Sequence, residues 1–297
     1  MNLKKNYINA GLSSWLLLFF LSLIWGSSFI LIKKSLLAFS PLEVGALRIC
    51  IASIAFLPFL LRQLKDVPWN NLRYFIIVGF AGSGIPAFLY AIAQTEVDSS
   101  VAGVLNSLTP IFTLLIGLII FKAAFKWLQL WGILLGFLGA CLLIILRNGW
   151  QLSAEVNYAL LIVVATLCYG ISVNVVNYKL SAYKPLLISS ISFILTGPLS
   201  FIYLLTTDII TDVTQHPDGY VSLISIAVLS LVGTFYSTII FYKLVQNTNP
   251  VFASSVSFVI PIIALLWGYV DGEILSIYHV ISMACILVGV LFIRKAK

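Results

Sequence analysis

Apolar residues run along this chain in long unbroken stretches, at about 15–32, 44–61, 72–93, 100–121, 127–146, 157–178, 186–206, 220–244, 250–270 and 276–293. Each is close to the ~20 residues that a helix needs to cross the hydrocarbon core of a bilayer. None shows the period-two alternation of a barrel strand. The pattern therefore predicts an all-α polytopic membrane protein with ten transmembrane helices. The breaks hold charges or turn formers: Lys33 and Lys34, Arg62 to Asp66, Glu96 and Asp98, Lys122 to Lys126, Arg147 to Gly149, Lys179 to Pro185, Asp208 to Gly219, Asn247 to Pro250, and Asp271 to Glu273. Most breaks are short, so neighbouring helices must mostly run antiparallel.

Composition agrees. Apolar residues make up 61% of the 297 and charged residues only 9%, with a mean hydropathy of +1.09. A soluble domain carries roughly 25% charged residues, and no soluble fold covers this much apolar surface with so few. Lys4 and Lys5 ahead of the first run resemble a secretory leader. The run is long, lacks a small-residue cleavage site and leads into further spans, so it reads as a permanent first helix.

Charge then assigns the sides. With the N-terminus placed in the cytoplasm, alternation puts Lys4, Lys5, Arg62, Lys65, Arg73, Lys122, Lys126, Lys179, Lys184, Lys243, Arg294, Lys295 and Lys297 inside, and only Lys33, Lys34 and Arg147 outside. Thirteen against three follows the positive-inside rule. Glu96, Asp98, Glu155, Asp208, Asp212, Asp218, Asp271 and Glu273 fall outside, and Asp66 inside. A wrong helix count would scramble this sorting, so it supports ten spans, both termini in the cytoplasm, and residence in a cell (inner) membrane. The net charge of +7 is then a topology signal, with the basic face toward anionic lipid, and not a sign of nucleic-acid binding.

An internal repeat is also legible. Val101 to Gly117 and Phe252 to Gly268 align at a shift of 151, pairing Ala102 with Ala253, Pro110 with Pro261, and Gly117 with Gly268. At 144, Trp25-Gly26-Ser27-Ser28 meets Tyr169-Gly170-Ile171-Ser172 and Pro41 meets Pro185; at 152, Tyr90 and Gln94 meet Tyr242 and Gln246. The halves fall at 1–148 and 149–297, with five helices each. An odd number forces the second half to enter from the opposite side. The result is an inverted repeat, the architecture that lets a carrier open to either face around a central cavity.

These residues resemble a family. W-G-S-S-F from Trp25, S-L-T-P-I-F-T from Ser107, Arg48 in the second run, and D-G-E-I-L from Asp271 are similar to the EamA-type proteins of the drug/metabolite transporter superfamily. The resemblance covers nearly the whole chain. It implies ten helices, a central cavity between the halves, and export or exchange of small metabolites, often amino acids. The first half departs from the pattern at Lys122, where the second has Glu273, and Ile171 and Val173 replace polar or aromatic letters in the sixth run.

Polar groups inside a membrane need a partner or a water-filled cavity. Arg48 is the one charge well inside a run; it suits a substrate carboxylate or phosphate, or a structural partner such as Glu43 or a helix-end carbonyl. Trp25 lies mid-membrane, where its N–H wants a partner; it suits a cavity wall or helix packing. Gly26, Ser27 and Ser28 suit close helix contact or cavity lining. Asn106, Thr109, Thr113 and Gly117 form a small-polar stripe; Gly170, Asn174 and Asn177 form another, and Ser254 and Ser257 begin a third. Pro110 and Pro261 each free a backbone carbonyl, as paired gating kinks or static bends. Among the tyrosines, Tyr169 is the best cavity candidate, as the repeat mate of Trp25. Tyr90 and Tyr236 also offer a hydroxyl and ring to the cavity, although Tyr90, like Tyr242, reads as nearer the faces. Gly132, Gly136 and Gly139 favour tight packing of the fifth helix, which with the tenth serves as scaffold. The cavity is expected between helices one to four and six to nine.

No Asp or Glu lies at mid-depth, which leaves facilitated diffusion, exchange, or coupling through edge carboxylates. No phosphate-binding loop or catalytic set appears, the two histidines are isolated, and Cys50, Cys141, Cys168 and Cys285 are scattered as packing residues. No metal, cofactor or enzyme activity is expected. The partners are a small-molecule substrate and the bilayer, and a homodimer is compatible with the pattern. The leading reading is an alternating-access carrier of a small metabolite, an amino acid or related compound. Its rivals are a nucleotide-sugar or drug-like solute carrier, a membrane-embedded enzyme, and a non-transporting scaffold.

Overall fold

The computed structural model describes residues 12–97, 99–148, 156–270 and 277–296. Lys4, Lys5, Asp98, Gly149, Glu155, Asp271, Glu273 and Lys297, used in the charge sorting and motifs, lie outside the described residues, as does the rest of the 271–275 motif. Those described fold into helices, with no strand among them. The main helices are α1 (Leu12–Ser35), α2 (Pro41–Arg62), α3 (Trp69–Ala93), α4 (Ala102–Ile119), α5 (Trp127–Asn148), α6 (Val156–Lys179), α7 (Pro185–Leu204), α8 (Gly219–Asn247), α9 in two pieces (Pro250–Ser254 and Val256–Val270), and α10 (Ile277–Lys295). Among the described residues, seven segments, in α1 to α4 and α6 to α8, are long and apolar enough to cross a membrane, against ten predicted from hydropathy. Those in α5 and α9 are shorter apolar helices, Trp127–Gly139 and Pro250–Ile263.

Local chemistry sets the helix ends and breaks. Ser40 and Glu43 form a reciprocal capping box at the start of α2, satisfying two donors that a helix N-terminus leaves open. Asn249 caps Phe252 N at 2.9 Å where α9 begins. Inside α4, Pro110 has no N–H for the Asn106 carbonyl, the helix breaks at Ser107 and Leu108, and Thr109 Oγ1 donates to that carbonyl at 2.7 Å. In α9 the break falls at Ser255, and the helix runs on through Pro261. The Ser257 carbonyl that Pro261 frees accepts from Ser107 Oγ of α4 at 3.1 Å. The two prolines are therefore not equivalent kinks: one marks an interruption within its helix, the other ties two helices together.

Both α3 and α8 contain a π-helical turn, at Phe80–Gly84 and Leu231–Tyr236. Gly82 and Gly233 occupy the two turns, 151 residues apart. The second turn is one residue longer, as is the spacing to the tyrosine that follows (Tyr90 and Tyr242).

Packing is by helix pairs. α1 lies on α8 and α9, while α6 lies on α3 and α4. α2 pairs with α7, where Phe56 stacks on Phe193 at 5.0 Å. α5 and α10 pack chiefly on each other. The turns α2–α3, α6–α7 and α8–α9 meet at one end, where Asn71 Nδ2 donates to Tyr183 OH at 2.7 Å and Gln246 Nε2 to Tyr183 O at 2.9 Å. At the other end Ser222 Oγ donates to Lys34 O at 2.8 Å. Among the described residues, the first end carries most of the lysines and arginines. Around the sides, Phe19, Phe20, Ile54, Leu199, Ile202 and Ile224 are exposed, a belt suited to lipid rather than water.

The α5–α10 contact has no room for a side chain: a Cβ on Gly132 would lie 2.6 Å from the carbonyl oxygen of Gly289. Backbone cannot yield as a flexible side chain does. Gly132→Ala is expected to cost about 1–3 kcal/mol, read as a lower melting temperature in detergent, while Leu138→Ala on the exposed face of α5 changes it little.

Candidate functional site

The break in α4 and the π turns in α3 and α8 all fall at one level of the bundle, where a cavity of about 110 Å³ opens between α1, α2, α3, α4, α6, α8 and α9. Of the residues singled out from sequence as cavity lining, Trp25, Ser28, Arg48, Tyr90, Asn106, Thr109, Tyr169, Ser254 and Ser257 line it. α7 contributes no described lining residue, contrary to expectation, because it packs flat on α2 and behind α3.

The π turn in α8 organises one wall. In a regular helix Gly233 O would accept from Ser237 N–H. Here Ser237 N–H turns to Thr234 O and Val232 O instead. The freed carbonyl accepts from Ser237 Oγ at 2.5 Å and from Trp25 Nε1 at 3.0 Å, and Trp25 Nε1 also reaches Ser237 Oγ at 3.1 Å. The indole is thereby held against Phe241, at 5.1 Å between rings.

Thr234, one residue on, fixes the cation. Its hydroxyl donates to Leu229 O at 3.1 Å and accepts from Arg48 Nε at 2.9 Å. Glu43, one of the two structural partners considered for Arg48, is held at Ser40 by the capping box. No acidic side chain is among the described residues lining the cavity. The half-buried guanidinium thus has its Nε anchored, and its terminal nitrogens form the fork suited to a carboxylate or phosphate.

The opposite wall is aromatic and amide. Tyr90 OH donates to Asn106 Oδ1 at 2.7 Å, and the Tyr90 and Tyr169 rings stack at 6.1 Å. Tyr90 and Tyr242 were expected nearer the membrane faces; both are buried and line the cavity. Ser172 Oγ is buried there beside the Tyr242 hydroxyl, facing Gly82 in the π turn of α3.

Two expected residues lie elsewhere. Tyr236 is 58% exposed on the side of the bundle. It sits two residues beyond Thr234, a step that carries a helical side chain to the far face. Asn174 is buried, donating from Nδ2 to Thr113 O at 2.9 Å and Gly170 O at 2.8 Å, and it lines a second, larger cavity. Sequence reasoning left out Ser172, Thr234 and Tyr242 as site residues. The repeat held the signal: Ser172 is the mate of Ser28, and Thr234 the mate of Ser83, which also lines the cavity.

Membrane-length helices closed around a polar, aromatic-walled cavity with one guanidinium define a polytopic membrane protein with an internal solute-sized site. The chain belongs to the EamA-like transporter family, which it matches twice, over residues 12–145 and 156–295. It is 26% identical to an uncharacterized transporter of Archaeoglobus fulgidus, covering 96% of this chain and all of that one. It is 25% identical to the inner membrane transporter YedA of Escherichia coli (94% and 90% covered). It is 23% identical to an S-adenosylmethionine/S-adenosylhomocysteine transporter of Chlamydia trachomatis (85% and 80%). A solved crystal structure shares the fold, with a TM-score of 0.70 at 16% identity over 94% of this chain and 96% of that one.

Replacing Thr234 by valine removes the acceptor for Arg48 Nε and the donor to Leu229 O. The expected loss is about 1.5–3 kcal/mol, as for hydrogen bonds to charged groups. Thr234→Ser keeps the hydroxyl and is expected to retain most of the stability; thermal unfolding of both variants checks this.

Proposed function

We propose that this chain is an alternating-access carrier of a small metabolite, an amino acid or related compound, exported or exchanged across the cell membrane. The reading takes ten crossings, in halves 1–148 and 149–297 of opposite orientation, with both termini in the cytoplasm. One observation carries it. Ser28 of α1 faces Gly233 in the π turn of α8, and its repeat mate Ser172 of α6 faces Gly82 in the π turn of α3. The same contact occurs twice, with the roles of the halves exchanged. A scaffold of this kind has two equivalent interfaces, one of which can close as the other opens. The two family matches, one to each half, support the same division.

Arg48 serves in this reading as the anion anchor. Trp25, Tyr90 and Tyr169 form the wall for the apolar part of the solute, and Ser28, Asn106, Thr109 and Ser257 supply polar contacts. The cavity of about 110 Å³ is smaller than the ~300–1,000 Å³ of a drug-sized site, which favours a small solute and requires the halves to part for its passage. The chlamydial relative is named for amino-acid derivatives, in keeping with this class.

Flux of radiolabelled amino acids in proteoliposomes tests the proposal. Arg48→Ala is expected to lower flux at least about tenfold, equivalent to losing ~1.4 kcal/mol of solute binding, and Trp25→Ala to lower it as well. Unchanged flux in both variants would refute the site. A proton-gradient dependence that no edge-acid substitution abolishes would refute uncoupled or edge-coupled transport.

A further inference from the structure

The second cavity, about 840 Å³, lies at the basic end of the bundle. It is bounded by the α4–α5 turn, the α8–α9 turn and the end of α10, with Lys126 and Arg294 among its lining residues. No acidic residue is among the described residues lining it. It shares α4, α6 and α9 with the central cavity, in register. On α4, Thr109 faces the central cavity and Thr113, one turn away, the second; on α6, Val173 faces one and Asn174 the other; on α9, Ser254 faces one and Phe252 the other. The partition is about one helical turn, or ~5.4 Å. The Asn174 amide spans part of it by donating to Thr113 O.

We propose that the second cavity is the antechamber of the central one, that Lys126 and Arg294 collect anions there, and that the solute carries a carboxylate or other anionic group which passes from them to Arg48. The inference rests on the carrier reading and sharpens it to a substrate class and a route. Two successive stations hold cations, and neither is lined by a described acid. A concave site of one charge sign with low-dielectric walls raises the local concentration of the opposite charge by about 10–10³-fold. A zwitterion enters by its carboxylate, while its ammonium has aromatic faces and Asn106 for company rather than an acid. Asn174 separates the stations, with its two amide hydrogens held by Thr113 O and Gly170 O.

The test uses the full chain with Cys50, Cys141, Cys168 and Cys285 replaced by alanine, in lipid nanodiscs. Two methanethiosulfonate reagents of similar size and opposite charge are compared, a sulfonatoethyl and a trimethylammonioethyl derivative. Ala123→Cys reports the second cavity and Ser83→Cys the central one, both partly exposed positions lining their cavities. Asn70→Cys, exposed at the start of α3, gives the intrinsic reactivity ratio. Relative to that control, the anionic reagent is expected to be favoured about tenfold at Ala123→Cys, and Lys126→Glu to abolish or invert the preference at both reporters. The proposal is overturned by the absence of a charge preference, by a preference that Lys126→Glu leaves unchanged, or by a Ser83→Cys that is unreactive or indifferent to Lys126. Ala124→Cys, exposed on the same rim, replaces Ala123→Cys should that variant fail to fold. Labelling requires no transport. Charge selection without solute flux would refute the carrier reading alone, and flux without charge selection would refute this inference alone.

Discussion

In hydrocarbon no water stands by to accept or donate a hydrogen bond, so each polar atom at membrane depth must find a partner in the protein or a wet cavity. That constraint organises this structure. Prolines in α4 and α9 and π turns in α3 and α8 disturb the regular backbone ladder, and the disturbances are answered locally. Thr109 closes on Asn106 O, Ser107 reaches across to Ser257 O, and Trp25 takes Gly233 O. Many other serines and threonines fold back on carbonyls three or four residues earlier, as Ser22, Thr113, Ser190 and Ser230 do, and so are silent in the bilayer. At the cavity, Ser172 Oγ lies buried beside the Tyr242 hydroxyl, and the Arg48 guanidinium has its Nε held by Thr234.

The same constraint explains what was legible in the sequence. Apolar runs and charge sorting depend on bulk transfer from water to lipid, which composition records directly. They located the helices and gathered the basic turns on one end. Mid-membrane Trp25 and Arg48 stood out because each is costly without a partner, and both line the cavity. The small-polar stripe on α4 divides one turn past the break, between Thr109 and Thr113. Asn106 and Thr109 face the centre, while Thr113 and Gly117 face the second cavity.

What sequence missed depends on local helix geometry. A π turn adds a residue to the helical repeat, and no hydrophobic period announces it. Tyr236, at the end of the π turn of α8, points outward where Thr234 points into the cavity, and Tyr90 and Tyr242, each following a π turn, line the cavity rather than the faces. The partner of Arg48 was unreadable for a related reason: Glu43 is near in sequence, but its place was taken by the end of its own helix, and Thr234 lies in the other half of the chain. The internal repeat offers a further contrast. Arg48 corresponds, at the shift of 144 that pairs Pro41 with Pro185, to Ser192, which donates to Phe75 O at 3.2 Å. The family match occurs twice along the chain, and the half-buried Arg48 has no cationic counterpart at that shift. A solute held by Arg48 therefore meets the two halves on unequal terms.

The π turns have one more consequence. Each is a single surplus residue lodged in an otherwise regular helix, and such a surplus can travel. When it moves by one position, hydrogen bonds are exchanged one for one, and the residue it passes swings by about 100° around the axis. In α8 the turn itself contains Gly233 and Thr234 and is followed by Ser237, and these residues hold Trp25 and Arg48. A shift of one register would turn those partners away from the cavity wall without unfolding the helix or moving its ends. It would be a rotation switch written in backbone hydrogen bonds alone.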